Sequence, residues 1–144
     1  MESDIQLAKK YLIEKRLGFV FFKNGVLIAQ SRESGIRDLY RIAWLYKEEL
    51  KGSSVADKVV GKAAGSIIIY LQVKECFARV VSEGALELFR RAGVRCSFDE
   101  KVSVILNRNK TDLCPFEKLV LDLKDPFEVY LKVKEKIDGE SQNS

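Results

Sequence analysis

The sequence predicts an α/β protein, a three-layer α/β/α sandwich built on a mixed sheet of about five strands. Three observations lead there. Phe19 to Phe22 and Val26 to Ala29 are apolar runs separated by Lys23-Asn24-Gly25, and Asn-Gly between such runs is a strong short-range hairpin signal. Cys76 to Val81 and Val94 to Phe98 read as strands with a helical pattern between them. That order implies a parallel pair joined by a crossover helix. Finally, the stretch from Ala56 to Leu71 is apolar almost all round, as befits a central helix between layers.

Taken in order, Ser3-Asp4-Ile5-Gln6 fits a capping box. Ile5, Ala8, Tyr11 and Leu12 then mark one helical face, and Gly18 ends the run. After the hairpin, Ser34 is placed to cap a second helix whose stripe is Ile36, Leu39, Tyr40, Ala43, Tyr46 and Leu50. Its other side carries Arg37, Asp38, Arg41, Lys47 and Glu48, a solvated face. Trp44 and Tyr46 suit packing or a subunit interface. Ser54-Val55-Ala56-Asp57 reads as a second capping box, with Asp57 at the third helical position. The helix it opens continues through Val59, Val60, Ala63, Ala64, Ile67 and Ile68, with Gly61 and Gly65 permitting close approach of another backbone.

Ser82 begins the helix after the Cys76 strand, with Ala85, Leu88, Phe89 and Ala92 on its buried face and Gly93 at its end. Lys101 to Leu106 reads as another strand or a continuation of Val94 to Phe98. Asn107 to Leu113 is a polar loop delivering Cys114-Pro115-Phe116-Glu117, and proline at the first helical position puts Cys114 at the N-cap. Asp125-Pro126-Phe127-Glu128 restarts a last helix. A single domain is expected over residues 1–138, with a flexible tail at 139–144.

Composition narrows the chemistry. The 144 residues carry a net charge of +4 and no histidine. Histidine-based nucleophile systems, proton shuttles and metal sites are therefore absent. Cys76, Cys96 and Cys114 are odd in number and far apart, the pattern of reduced cytoplasmic thiols rather than a disulfide framework. Cys76 and Cys96 read as core thiols. No apolar run reaches the roughly 20 residues a membrane span needs. Arg90-Arg91 with Arg95 is too thin a basic cluster to expect nucleic acid. No metal and no cofactor are expected.

In a sheet of this kind, ligands favour the crevice at the carboxyl ends of the strands, where helices begin. Three polar segments qualify: Asp57-Lys58, Ser82-Glu83-Gly84 and the loop from Asn107 to Glu117. Converging, they place Asp57, Lys58, Glu83 and Cys114 as candidate catalytic groups. Lys62, Ser82, Asn107, Arg108 and Glu117 are then the candidate ligand contacts. Helix amides and lysines suit an anionic ligand. Each residue also has a purely structural reading: Asp57 and Ser82 as caps, Lys58 and Lys62 as snorkelling side chains. A thiol at a helix N-terminus, close in sequence to Arg108 and Lys110, is placed to gain thiolate character.

Three segments carry a resemblance. They are Val55 to Ala64, Val80 to Glu87, and Ile105-Leu106-Asn107-Arg108 followed by Asp112-Leu113-Cys114-Pro115-Phe116-Glu117. Together they resemble a small prokaryotic family of unknown function with a cytidine-deaminase-like fold. The resemblance implies a mixed five-stranded sheet with helices on both faces. In zinc-dependent proteins of that fold, a His/Cys-Ala-Glu sequence and a Pro-Cys-x-x-Cys sequence each open a helix and supply the metal ligands and the proton-shuttling Glu. By order along the chain, Val55 stands at the first ligand position, Asp57 stands where it takes the place of the Glu or binds a metal itself, and Ser82 and Ala85 stand where the thiolates would be and cannot replace them. The expected function is a zinc-independent module binding a small anionic or nucleotide-like ligand at two helix N-termini. Its rivals are a zinc-independent enzyme using Lys, Cys or carboxylate chemistry in the same pocket, a deaminase-type hydrolase of nucleosides or bases, and a homo-oligomeric assembly role through exposed aromatics.

Overall fold

Asn24 and Gly25 turn the chain with φ of 52° and 79°, the paired left-handed conformation of a two-residue hairpin turn. They join β1 (Phe19–Lys23) to β2 (Val26–Ser31), an antiparallel pair with a bulge between Phe21 and Phe22. The turn is held down by α1 (Asp4–Glu14): the Asp4 carboxylate accepts the Asn24 and Gly25 amides at 2.8 and 2.7 Å. The predicted Ser3–Gln6 capping box closes the start of α1.

The computed structural model describes residues 2–33 and 35–142. The remaining elements are α2 (Ile36–Leu50), β3 (Ser54–Val60), α3 (Lys62–Tyr70), β4 (Glu75–Ser82), α4 (Glu83–Ala92), β5 (Arg95–Val102), α5 (Pro115–Leu119) and α6 (Pro126–Gln142). Ser34, the expected cap of α2, lies outside the described residues, and Gly35 stands at the N-cap position. The five strands form one sheet in the order β2-β1-β3-β4-β5. β1 runs antiparallel to β2 and β3, whereas β3, β4 and β5 are parallel. The expected mixed α/β architecture is the observed one.

One element differs from the sequence reading, and it matters most for the site. Ser54 to Val60 is the central strand and not the first turns of a helix. Ser54 therefore caps nothing, and its hydroxyl is buried without a hydrogen-bond partner. Asp57 is a strand residue opposite Phe19 on β1 and Ala78 on β4. The physical reason is burial on both faces. Such a strand is apolar at nearly every position, so it lacks the alternation that separates strand from helix. The central helix expected from this stretch starts only at Lys62, with Gly61 in extended backbone at its N-cap position.

The helices cover both faces. α1 seals one, packing Ala8 and Leu12 against Val20, Phe22, Ala56 and Phe77. On the other, Phe19, Phe21, Val55, Cys76 and Ala78 meet Leu39 and Ala43 of α2, Ile67 and Ile68 of α3, Leu88 and Phe89 of α4, and Val129 and Val133 of α6. Every residue from Ala63 to Ile68 is buried, which makes α3 the hub of this core. Each large apolar side chain buried there contributes about 1.5–3 kcal/mol. β5 is a single strand that ends at Val102 instead of resuming to Leu106, and Leu106 bridges Leu113 to close the polar loop. α6 runs through Gly139, where the sequence suggested a tail, to Gln142.

Candidate functional site

The carboxyl end of β3 lies where the antiparallel hairpin gives way to the parallel run of the sheet. Crevices of α/β proteins open at such switch points. Here the crevice is a cavity of about 620 Å³. Asp57, Val59 and Gly61 line it from β3 and its exit, and Arg37 lines it from the first turn of α2. Asn107 and Arg108 belong to the polar loop, and Cys114, Phe116 and Glu117 to the start of α5.

Asp57 is a buried polar group of this lining. It is only 5 % exposed, and its Oδ1 accepts the Val59 amide at 3.2 Å. No side-chain donor or cation pairs with it among the described residues. Burial pushes its carboxyl up to about 7, against a smaller opposing effect of the Val59 and Lys58 amides. A carboxyl group in that range is poised to exist in either protonation state near neutrality.

Glu117 has a different task. Its two carboxylate oxygens accept the amides of Lys62 and Ala63 at 2.7 and 2.8 Å. It therefore supplies, from 55 residues away in sequence, the cap that the start of α3 lacks locally. Burial pushes its carboxyl above the usual range, against the pull of those amides and of the Lys62 charge. The amides expected to receive an anionic ligand at α3 are thus already taken by Glu117.

Lys62 completes a reciprocal arrangement. Its Nζ donates to the carbonyls of Val120, Leu121 and Leu123 at 3.4, 2.9 and 2.6 Å, just beyond α5. Its stem covers Gly84, where an added Cβ would come within 2.9 Å of Lys62 Cε. Burial holds its ammonium below the ordinary lysine value. Ser82 is buried and caps α4, its Oγ accepting the Ala85 amide at 3.0 Å, as expected. Glu83 and Lys58 are exposed. The nine candidate residues therefore separate. Asp57, Asn107, Arg108, Cys114 and Glu117 line the cavity, whereas Lys58, Lys62, Ser82 and Glu83 do not.

Cys114 is half-buried at the N-cap of the five-residue α5 and makes no capping hydrogen bond through its side chain. Arg37, which the sequence placed on a solvated face, stands beside it. The guanidinium makes a two-pronged pair with Glu140 at 2.8 Å and lies 5.0 Å over the Phe116 ring. The Glu140 hydrogen bond holds Arg37 above its ordinary value, and Cys114 adds a smaller electrostatic contribution. Its position in the first turn of a helix was the only available signal of a site role. Asn107 is engaged within its own loop through Thr111. Arg108 is exposed and has no ion-pair partner among the described residues.

The residues present do not fit the zinc that a cytidine-deaminase-like fold would imply. Val55 sits inside β3, and the head of α3 is Lys62-Ala63-Ala64. Ser82 is committed to the Ala85 amide, and Ala85 has no donor atom. Among the described residues, no three His, Cys, Asp or Glu side chains are placed to hold a metal ion. No described helix is long and apolar enough to cross a membrane.

Fold and cavity together define an α/β protein with a candidate ligand site at the end of its central strand. The chain belongs to the family described as TM1506, a domain of unknown function (DUF1893), whose model matches residues 7–137. It is similar to the crystal structure of a DUF1893 family protein (TM1506) from Thermotoga maritima, with 34% sequence identity over 94% of this chain and 92% of that one and a TM-score of 0.85. No curated protein matches.

Proposed function

We propose that the protein is a zinc-independent module of cytidine-deaminase-like fold that binds a small, nucleotide-like ligand in the cavity beside β3. The observation that carries this reading is that a buried carboxyl and an exposed cation line the same cavity. Asp57 is buried without a side-chain partner, and Arg108 of the polar loop has no ion-pair partner among the described residues. Burying a carboxylate whose partners are backbone amides alone costs free energy. A ligand presenting ring or exocyclic N–H groups to Asp57 offsets that cost, while its anionic group meets Arg108. Phe116 and Ile105 add apolar wall. The expected anion sites at the two helix N-termini are replaced in this reading, because Glu117 and Ser82 occupy them.

A second reading rests on one observation, the Asp57 carboxyl held at about 7. In an enzyme, Asp57 would accept or donate a proton at a bound substrate, with Cys114 as the neighbouring nucleophile candidate. The free thiols agree with a cytoplasmic setting for either function.

Thermal-shift and calorimetric titrations with nucleoside phosphates, nucleosides and inorganic phosphate test the binding reading. Nucleoside phosphates should stabilise the protein most, and Asp57→Asn and Arg108→Ala should each weaken their binding. Absence of stabilisation by all three classes, or binding indifferent to Asp57→Asn, would overturn it. Turnover of a bound nucleotide, abolished by Asp57→Asn, would select the enzymatic reading.

A further inference from the structure

Away from the cavity, Cys76 on β4 and Cys96 on β5 are direct register partners in parallel strands. Both side chains lie on the same face and against the same core. Neighbouring strands run about 4.7–4.9 Å apart, inside the roughly 4.4–6.8 Å between Cα atoms that a disulfide spans. Residues 20 apart in sequence are thus brought to bonding reach by the crossover through α4.

The two thiols are inequivalent. Cys76 is 1 % exposed, whereas Cys96 is half-exposed on the edge strand of the sheet. β5 has no further strand beyond it, so it can adjust its spacing to β4 without disturbing another pairing. We infer that Cys76 and Cys96 form a redox-active dithiol, with Cys96 as the peroxide-reactive thiol and Cys76 as its resolving partner. The interaction with Cys76 holds Cys96 below the ordinary thiol range, and the same interaction raises Cys76. The lowered Cys96 suits the first attack, since the thiolate is the nucleophile, and Cys76 attacks in the second step as its proton leaves with the departing hydroxyl.

The chemistry balances with a peroxide as oxidant. The Cys96 thiolate attacks one peroxide oxygen, the O–O bond breaks, and the departing oxygen leaves as water after taking a proton. Cys96 is now a sulfenic acid. The Cys76 sulfur then attacks the Cys96 sulfur, the S–O bond breaks, and the hydroxyl leaves as water with the Cys76 proton. Two thiols and one hydrogen peroxide give one disulfide and two waters. An external dithiol returns the pair to its reduced form by exchange. The cavity contributes no residue to this pair.

The test uses the full chain, reduced, freed of reductant and exposed to a small excess of hydrogen peroxide. Titratable thiols should fall from three to one, non-reducing peptide mapping should link Cys76 to Cys96, and dithiothreitol should restore all three. Cys96→Ser should abolish the link, and Cys114→Ser should leave it intact. Because Cys96 is half-exposed, its serine variant decides the matter even where a Cys76 variant folds poorly. Three unreacted thiols, a Cys96 sulfinic acid beside a free Cys76, or a cross-link between two chains would each overturn the inference.

Discussion

Glu117 and Gly61 share one small volume: a Cβ added at Gly61 would stand 2.2 Å from Oε1 of Glu117. The glycine is in extended backbone, with φ of −99°, so its role is to leave room and not to permit an unusual turn. The space it leaves admits the carboxylate that caps α3. Gly61→Ala should therefore expel that carboxylate and cost on the order of 1–3 kcal/mol, the penalty of stranding buried amides. Glu117→Ala should cost a similar amount, and the double variant clearly less than the sum. A double-mutant cycle by urea denaturation measures this coupling, and additive losses would contradict the shared-space account.

Asp57 makes stability depend on pH. Its folded value of about 7 lies above the ordinary 3.8, so the native state holds the proton more tightly than the unfolded chain. The favourable contribution is full below about pH 4 and is lost as pH rises through about 7, amounting to roughly 4 kcal/mol. Asp57→Asn should flatten this part of the profile and be more stable than the parent at about pH 8.5. Denaturant midpoints across the range check it; a parent whose Asp57 contribution grew with pH would refute the assignment.

Lys62→Met keeps the stem over Gly84 but removes the donor to three carbonyls. We expect a loss of about 1–3 kcal/mol and faster proteolytic cleavage around Leu121 to Asp125. Glu117 loses its neighbouring cation in the same variant, so its carboxyl should titrate still higher. Unchanged protease sensitivity would show that the α5–α6 connection is held by packing alone.

Arg108 and Arg37 should separate binding from stability. Arg108→Ala removes an exposed, unpaired cation and should change stability by less than about 0.5 kcal/mol. If the binding reading holds, it weakens nucleotide affinity about tenfold, or 1.4 kcal/mol. Arg37→Ala loses the Glu140 pair and the stack on Phe116. Because that side chain is 62 % exposed, the cost should stay near 1 kcal/mol or below. Calorimetry and thermal melts on the two variants make the comparison.

Local chemistry determined much of this protein before any contact was known. The Ser3 capping box, the Asn24-Gly25 turn, the Ser82 cap and Gly93 after α4 all depend on neighbours within a few residues, and each is found where the sequence puts it. Cys114 at the head of α5 belongs with them. Tertiary structure decided the rest. Ser54 to Val60 carries the chemistry of a capped apolar helix and becomes the central strand because β1 and β4 bond to both its edges while both faces are buried. That one reassignment turns Asp57 from a helix cap into a buried carboxyl lining a cavity. It also moves the helix start to Lys62, where the cap is Glu117, a residue too distant in sequence for any periodicity to announce. The reason is physical. Capping boxes, turns and amphipathic stripes are satisfied within a segment, whereas a buried strand and a cap supplied from afar acquire their partners only when the chain closes on itself.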